Sequence, residues 1–224
     1  MNRGIIEVEQ LAKGWGGRFR LGPLDFTVAP AEILSVLGPK GAGKTTLMRL
    51  LWGALRADHG QVRIHALSLP QEAISVRLVT GYVPDDPPFH PYMKVGSLLS
   101  FVADFYPGWN MQYALDILEH FDVDADSTIG ELKKAARTKL ALAAALGHCP
   151  STLLLDEPVN GLERADRREI LKFLKDLADL GTTIVLTADA SDDLDGIAHI
   201  RMKLKDGKMT EFERRRELDA KFKA

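Results

Sequence analysis

The sequence predicts an α/β fold: a mostly parallel sheet interleaved with helices, plus an inserted helical lobe. Three observations point there. Short apolar or alternating runs recur in the first and last thirds of the chain, while residues from about 87 to 148 show helical spacing alone. A buried apolar run ends in a glycine-rich turn that opens a helix. The length of 224 residues is enough for one core with a sub-lobe.

The elements follow in chain order. Residues 5–9 and 24–28 alternate roughly apolar with polar, as half-buried strands do, and 33–37 are more continuously apolar, which suits a strand buried on both faces. After the glycine turn, Leu47, Leu50 and Leu51 mark a helix, and 61–65 and 79–83 read as two further strands. In the middle, Val95, Leu98, Leu99, Val102 and Phe105 recur at helical spacing, as do Ala114, Leu115, Leu118 and Phe121, with Pro107-Gly108 between the two helices. An Ala- and Leu-rich helix spans about 131–147. Residues 153–155 form a buried strand, 170–180 an amphipathic helix and 182–186 another strand. Asp206-Gly207 reads as a hairpin turn before a charged C-terminal helix. The predicted organisation is a core of 1–86 and 149–212, a helical subdomain of 87–148 and a charged helix of 213–224.

Composition narrows the function. Hydrophobic residues at 46% and charged residues at 27% exclude intrinsic disorder. A net charge of −2 excludes a globally basic nucleic-acid binder, so no nucleic-acid partner is expected. No apolar run approaches the roughly 18–20 residues of a membrane span. Charge appears too early, at Arg3 and Glu7, for a signal peptide, and the single Cys149 suits a reducing compartment. A soluble, cytoplasmic protein is expected. The six histidines show no metal spacing with Cys149.

The strongest motif is Gly38-Pro39-Lys40-Gly41-Ala42-Gly43-Lys44-Thr45-Thr46, which fits G-x-x-x-x-G-K-[ST] between a buried strand and a helix. Its glycines let the backbone turn N–H groups toward a polyphosphate, and the helix start adds its positive dipole end. Lys44 reaches β- and γ-phosphates and the Thr45 hydroxyl ligates Mg²⁺ in such a loop. The second motif, residues 153–158, is an apolar strand ending in Asp156 and Glu157. A carboxylate at that strand tip can hold Mg²⁺, and the next can polarise an attacking water.

Together these residues resemble one family, the nucleotide-binding subunits of ABC transporters, over nearly the whole chain. The loop resembles the family's Walker A and residues 153–158 its Walker B. Trp15 occupies the place of the aromatic that stacks on adenine. Residues 81–88, followed by 105–109, are similar to the drug-export and antibiotic-resistance subgroup. The resemblance implies a P-loop NTPase fold, with a RecA-like core, an attached antiparallel β-sheet and an inserted α-helical subdomain. It also implies ATP and Mg²⁺ as ligands, ATPase activity coupled to transport, and two domains that sandwich two ATP molecules head to tail.

The sequence departs from the family at the groups that meet γ-phosphate. The signature segment aligns with Leu132-Lys133-Lys134-Ala135-Ala136, where Lys133 replaces a serine and Ala135 a glycine. Asp85 stands at the Q-loop glutamine, where it joins Thr45 and Asp156 as a candidate metal ligand. Asp189 stands at the switch histidine, and an acid is no neutral donor at pH 7 unless its pKa is strongly raised. The D-loop, with Gly161 and Leu162, carries Glu163 for the usual aspartate, and Lys40 replaces a common Asn or Ser. Retained ATP binding with slow hydrolysis is the expectation.

The resemblance further implies membrane-spanning transporter subunits as partners, at the inner face of the cell membrane. The degenerate signature favours a heterodimer with a second ATPase subunit over a homodimer. An alternative is a soluble, ATP-gated regulatory protein that uses the fold without transport. Phe89 and Tyr92 are candidates for a docking surface, whereas Phe101 and Phe105 are expected in the core. Arg214-Arg215-Arg216 read as part of a solvated mixed-charge helix.

Overall fold

The computed structural model describes residues 5–17, 19–189, 194 and 196–215. In chain order the strands are β1 (Ile6–Trp15), β2 (Phe19–Val28), β3 (Ile33–Leu37), β4 (His59–Ile64), β5 (Leu67–Leu69), β6 (Thr80–Val83), β7 (Thr152–Leu155), β8 (Thr183–Ala188), β9 (Ile200–Lys205) and β10 (Lys208–Arg214). The helices are α1 (Lys44–Leu51), α2 (Ala73–Val79), α3 (Val95–Ala103), α4 (Met111–His120), α5 (Lys134–Leu146) and α6 (Arg164–Asp179).

Two sheets form. β2-β1-β4-β5 is antiparallel, and β10-β9-β3-β8-β7-β6 is parallel except for its β10 edge. The burial of every residue of β3 has a simple cause. Ile33 and Leu37 pack into a core with α3–α6, whereas Leu34 and Val36 pack on the opposite face with α1 and the antiparallel sheet. β7 and β8 divide the same way: Leu153, Leu155, Ile184 and Leu186 face one core, and Leu154 and Val185 the other. Each such fully buried side chain contributes about 1.5–3 kcal/mol relative to exposure.

Register then sets the site. Leu37 pairs with Ala188, Leu155 with Leu186 and Val83 with Leu155. The carboxyl ends of β3, β8, β7 and β6 therefore lie along one edge of the sheet. The chain leaves that edge at Gly38, Asp189, Asp156 and Pro84, in the crevice where open parallel sheets bind ligands.

Three expectations change. Residues 208–214 are an antiparallel edge strand, with Glu213 opposite Arg201 and Arg214 opposite Ile200, so the charged C-terminal helix does not begin at 213. Charged side chains suit an exposed edge. Arg216 and residues 217–224 lie outside the described residues. Phe101 and Phe105 are not core: both are exposed and meet edge-to-face, because α3 turns Leu98 and Leu99 inward instead. Phe89 is partly buried against the core, while Tyr92 is exposed. The short β5 and α2 carried no legible period in the sequence. No helix among the described residues is long and apolar enough to cross a membrane.

Candidate functional site

The loop from Gly38 to Gly43 bridges β3 and α1. Gly43 has φ +105°, and a Cβ there would lie 2.8 Å from Leu21 Cδ1. Only glycine holds that left-handed corner without strain. Gly43 also brings no capping side chain to α1. The first-turn N–H groups are therefore presented to the crevice, together with the positive end of the helix dipole. Gly38 N–H donates to the Ala188 carbonyl (3.3 Å), which ties the loop to the end of β8, and buried Ala42 backs it from the core side.

Lys44 is buried, and its ammonium is the electrostatic centre of the site. Nζ donates to the Gly38 carbonyl and to Pro39 O (3.3 Å), ion-pairs with Asp189, and lies 3.2 Å from Glu157 Oε1.

The acidic pair sits at the tip of β7. Asp156 is 2% exposed, and its N–H donates to Val83 O (2.8 Å). Burial pushes its carboxyl above the usual carboxylate range, against hydrogen bonds from the Thr45 and Thr187 side chains. The Thr187 hydroxyl joins the pair: it donates to Asp156 Oδ1 and accepts from the Glu157 N–H, both at 2.8 Å. Glu157 itself adopts φ +50°, and its Oε2 accepts from Asn160 Nδ2 at 2.8 Å. Asp85 is raised too, first by burial and then by the charge of Glu157.

Lys44, Glu157, Asp85 and Asp189 line a cavity of about 400 Å³, with Asp156 and Thr187 behind it. Its lining gathers Trp15, Pro39, Lys40, Gly41, Gly43, Lys44, Thr45, Thr46, Asp85, Glu157 and Asp189 from the sequence motifs, with Asn160 of the D-loop segment, and adds Phe19. Trp15 is 49% exposed at the end of β1, paired with Phe19, and Lys13 Nζ lies 5.6 Å from its ring centroid. Neither Thr187 nor Phe19 stands out in the sequence, whereas Asn160 belongs to the D-loop segment 159–163. The one signal for Thr187 is a hydroxyl residue directly after the apolar run 184–186.

Other expected residues lie apart. Leu132 and Lys133 lead into α5, which starts at Lys134 and includes Ala135 and Ala136. Leu132 and Lys134 line a neighbouring recess of about 430 Å³ that also contains Asp85 and Asp86. Gly161 and Leu162 precede Glu163, the N-cap of α6; Leu162 is buried, and none of the three lines the phosphate-loop cavity.

The donor set fits a magnesium nucleotide. Thr45 and Asp156 offer hard oxygen ligands hydrogen-bonded to each other. No group of three or more His, Cys, Asp or Glu among the described residues is set to hold a metal alone. A Mg²⁺ ion with few protein ligands is one that arrives on phosphate oxygens.

The ABC transporter family profile matches residues 21–160, spanning the loop and both acids. The chain belongs to this family. Within it, this is an ATP-binding domain of the ATPase type. The chain is 32% identical to the Nod factor export ATP-binding protein I of Paraburkholderia xenovorans (strain LB400) over 213 residues, 93% of this chain and 70% of that protein. It is 33% identical to the daunorubicin resistance ATP-binding protein DrrA3 of Streptomyces coeruleorubidus over 199 residues, 86% of this chain and 63% of that one. In fold, the ABC domain superposes on a dimeric bacterial ABC transporter cassette with TM-score 0.85 at 21% identity, covering 95% of this chain and 99% of that one. A dimeric post-hydrolysis cassette bound to ADP and Pi gives 0.84 at 20% identity, with the same coverage.

Proposed function

We propose that this ABC domain binds MgATP in the 400 Å³ cavity and drives a transporter whose membrane-spanning subunits are separate chains. The observation that carries this reading is the convergence of the phosphate loop, the Trp15 ring and Glu157 on one cavity. Lys44 and the loop amides bind the β- and γ-phosphates, and Trp15 stacks on adenine. Thr45 and Asp156 hold Mg²⁺, with Asp85 close by. When bound, Mg²⁺ neutralises charge on the phosphates. Glu157 orients and polarises the attacking water; its bonds from Asn160 and, through its backbone, to Thr187 fix the carboxylate for that task.

Hydrolysis in this reading is slow. Asp189 is an anion where a neutral donor serves the family, Asp85 is a second, and Lys133 and Ala135 alter the segment offered to a partner domain. Loss of one positioned donor costs about 3–4 kcal/mol of transition-state stabilisation. A second ATPase subunit with a complete signature, rather than a second copy, suits this site, at the cytoplasmic face of the membrane. The names of the export and drug-resistance relatives support a transport role.

The test is ATP turnover by the purified chain over a range of protein concentrations, with Glu157→Gln and Lys44→Ala as controls, and co-purification from membranes. ATP binding that Lys44→Ala abolishes, turnover well below that of a homodimeric cassette, and capture of an integral membrane protein are the expected results. Fast turnover that rises more steeply than linearly with concentration overturns slow hydrolysis and the need for a second kind of subunit. Failure to capture any membrane protein points instead to a soluble ATP-gated regulator.

A further inference from the structure

We propose that Asp189 is a tethered anion that occupies the phosphate-binding lysine in the nucleotide-free chain and leaves it when a polyphosphate binds. An ammonium has three N–H donors and no acceptor. Those of Lys44 are taken by three hydrogen bonds, to the Gly38 and Pro39 carbonyls and to Asp189, while Glu157 adds an ion pair at 3.2 Å. No donor is left for a phosphate oxygen until one of these withdraws.

The surroundings decide which one goes. The two carbonyls belong to the loop itself. Glu157 is held at its carboxylate by Asn160 and at its backbone by Thr187. Asp189 has a half-exposed side chain, and among the described residues Lys44 is its one ion-pair partner. It directly follows Ala188, the last residue of β8, so its side chain can swing into water with no change in sheet register. It is the removable ligand, and Glu157 the fixed one. Nucleotide affinity is then set by competition with a side chain of the same molecule.

This inference rests on the proposed nucleotide site, and the experiment separates the two. ATP is titrated calorimetrically into the full chain, with Mg²⁺ and again with EDTA, for the parent, Asp189→Asn, Lys44→Ala, the double variant and Asp86→Asn. Asp86 lies beside the site but makes no ion pair with Lys44 among the described residues. Asp189→Asn is expected to tighten ATP binding about two- to fivefold, the range for releasing a half-exposed ion pair. That gain should vanish in the Lys44→Ala background, and Asp86→Asn should change affinity less than about twofold.

Unchanged or weaker binding by Asp189→Asn overturns the proposal. So does a gain that persists without Lys44, because simple repulsion of phosphate would then explain it. Where Lys44→Ala binds too weakly to titrate, Asp86→Asn decides, and an equal gain from it also overturns the proposal. Absence of ATP binding in the parent and in every variant overturns the nucleotide reading along with this one.

Discussion

Thr187→Val isolates a single hydroxyl at the centre of the site. The side chain is fully buried at the end of β8, and valine has nearly its volume, so no cavity is created. What is lost is one hydrogen bond donated to a buried carboxylate and one accepted from the Glu157 N–H, each at 2.8 Å. The first contributes about 1.5–3 kcal/mol and the second about 0.5–1.5 kcal/mol, so a loss of about 2–4 kcal/mol is expected. For a domain of this size that lowers Tm by about 5–15 °C. Urea denaturation of the metal-free chain, with Thr187→Ser as the hydroxyl-retaining control, measures it. The sign with pH follows from Asp156, whose carboxyl burial already raises. An acid with a folded-state pKa above its unfolded value costs nothing below the unfolded value and costs more as pH rises through the folded one. Removing a hydrogen bond to the ionised form raises that pKa further. The Thr187→Val penalty therefore grows as pH rises through and above the carboxylate range and shrinks on acidification. A variant within about 0.5 kcal/mol of the parent, or a serine variant equally damaged, refutes the reasoning.

Other residues give sharp expectations. Gly43→Ala places a Cβ 2.8 Å from Leu21 Cδ1 at φ +105°, and should cost about 1–3 kcal/mol in urea titrations and weaken ATP binding about tenfold or more. Phe121→Ala empties a buried position packed against Phe173 and should cost about 3–5 kcal/mol, seen as a lower urea midpoint with unchanged slope. His148 stacks on Tyr106, and burial lowers its pKa to about 4. The stability its neutral form contributes is complete above the unfolded value and is lost as pH falls toward 4, so a pH series of urea midpoints should be flatter for His148→Phe.

The sequence made the phosphate loop and the acidic pair legible because both are local: each lies within nine residues at one strand end. The parallel sheet was legible because β3, β7 and β8 bury both faces and therefore read as mostly apolar runs. What the sequence concealed depends on register. Thr187 lies 31 residues from Asp156 and meets it because Leu155 pairs with Leu186, which no local pattern announces. The ion pair of Lys44 with Asp189 spans 145 residues in the same way. Charge alternation over 208–214 is ambiguous between an edge strand and a solvated helix, and pairing with β9 resolves it. Phe101 and Phe105 shared the helical spacing of the buried Leu98 and Leu99, and spacing alone cannot say where an apolar stripe ends.

The substitutions that set this chain apart act together through charge. Lys40 and Lys44 share the cavity with Asp85, Glu157 and Asp189, and Asp156 lies buried behind them. Carboxylates outnumber ammonium groups before any phosphate arrives, so a bare polyanion meets net repulsion at short range, where solvent screening is weakest. A divalent cation on the nucleotide reverses that balance. ATP binding should therefore depend steeply on Mg²⁺, tightening by more than about tenfold between EDTA and saturating Mg²⁺. Asp85→Asn should narrow the gap by improving metal-free binding. Because burial and Glu157 raise the Asp85 carboxyl, acidification toward the carboxylate range neutralises it early. Metal-free ATP affinity should accordingly rise as the pH is lowered, while Asp85→Asn should show less of that rise. Affinities within twofold of each other in EDTA and in Mg²⁺, unchanged by Asp85→Asn, would show that the loop amides and Lys44 dominate and that the surrounding acids are silent.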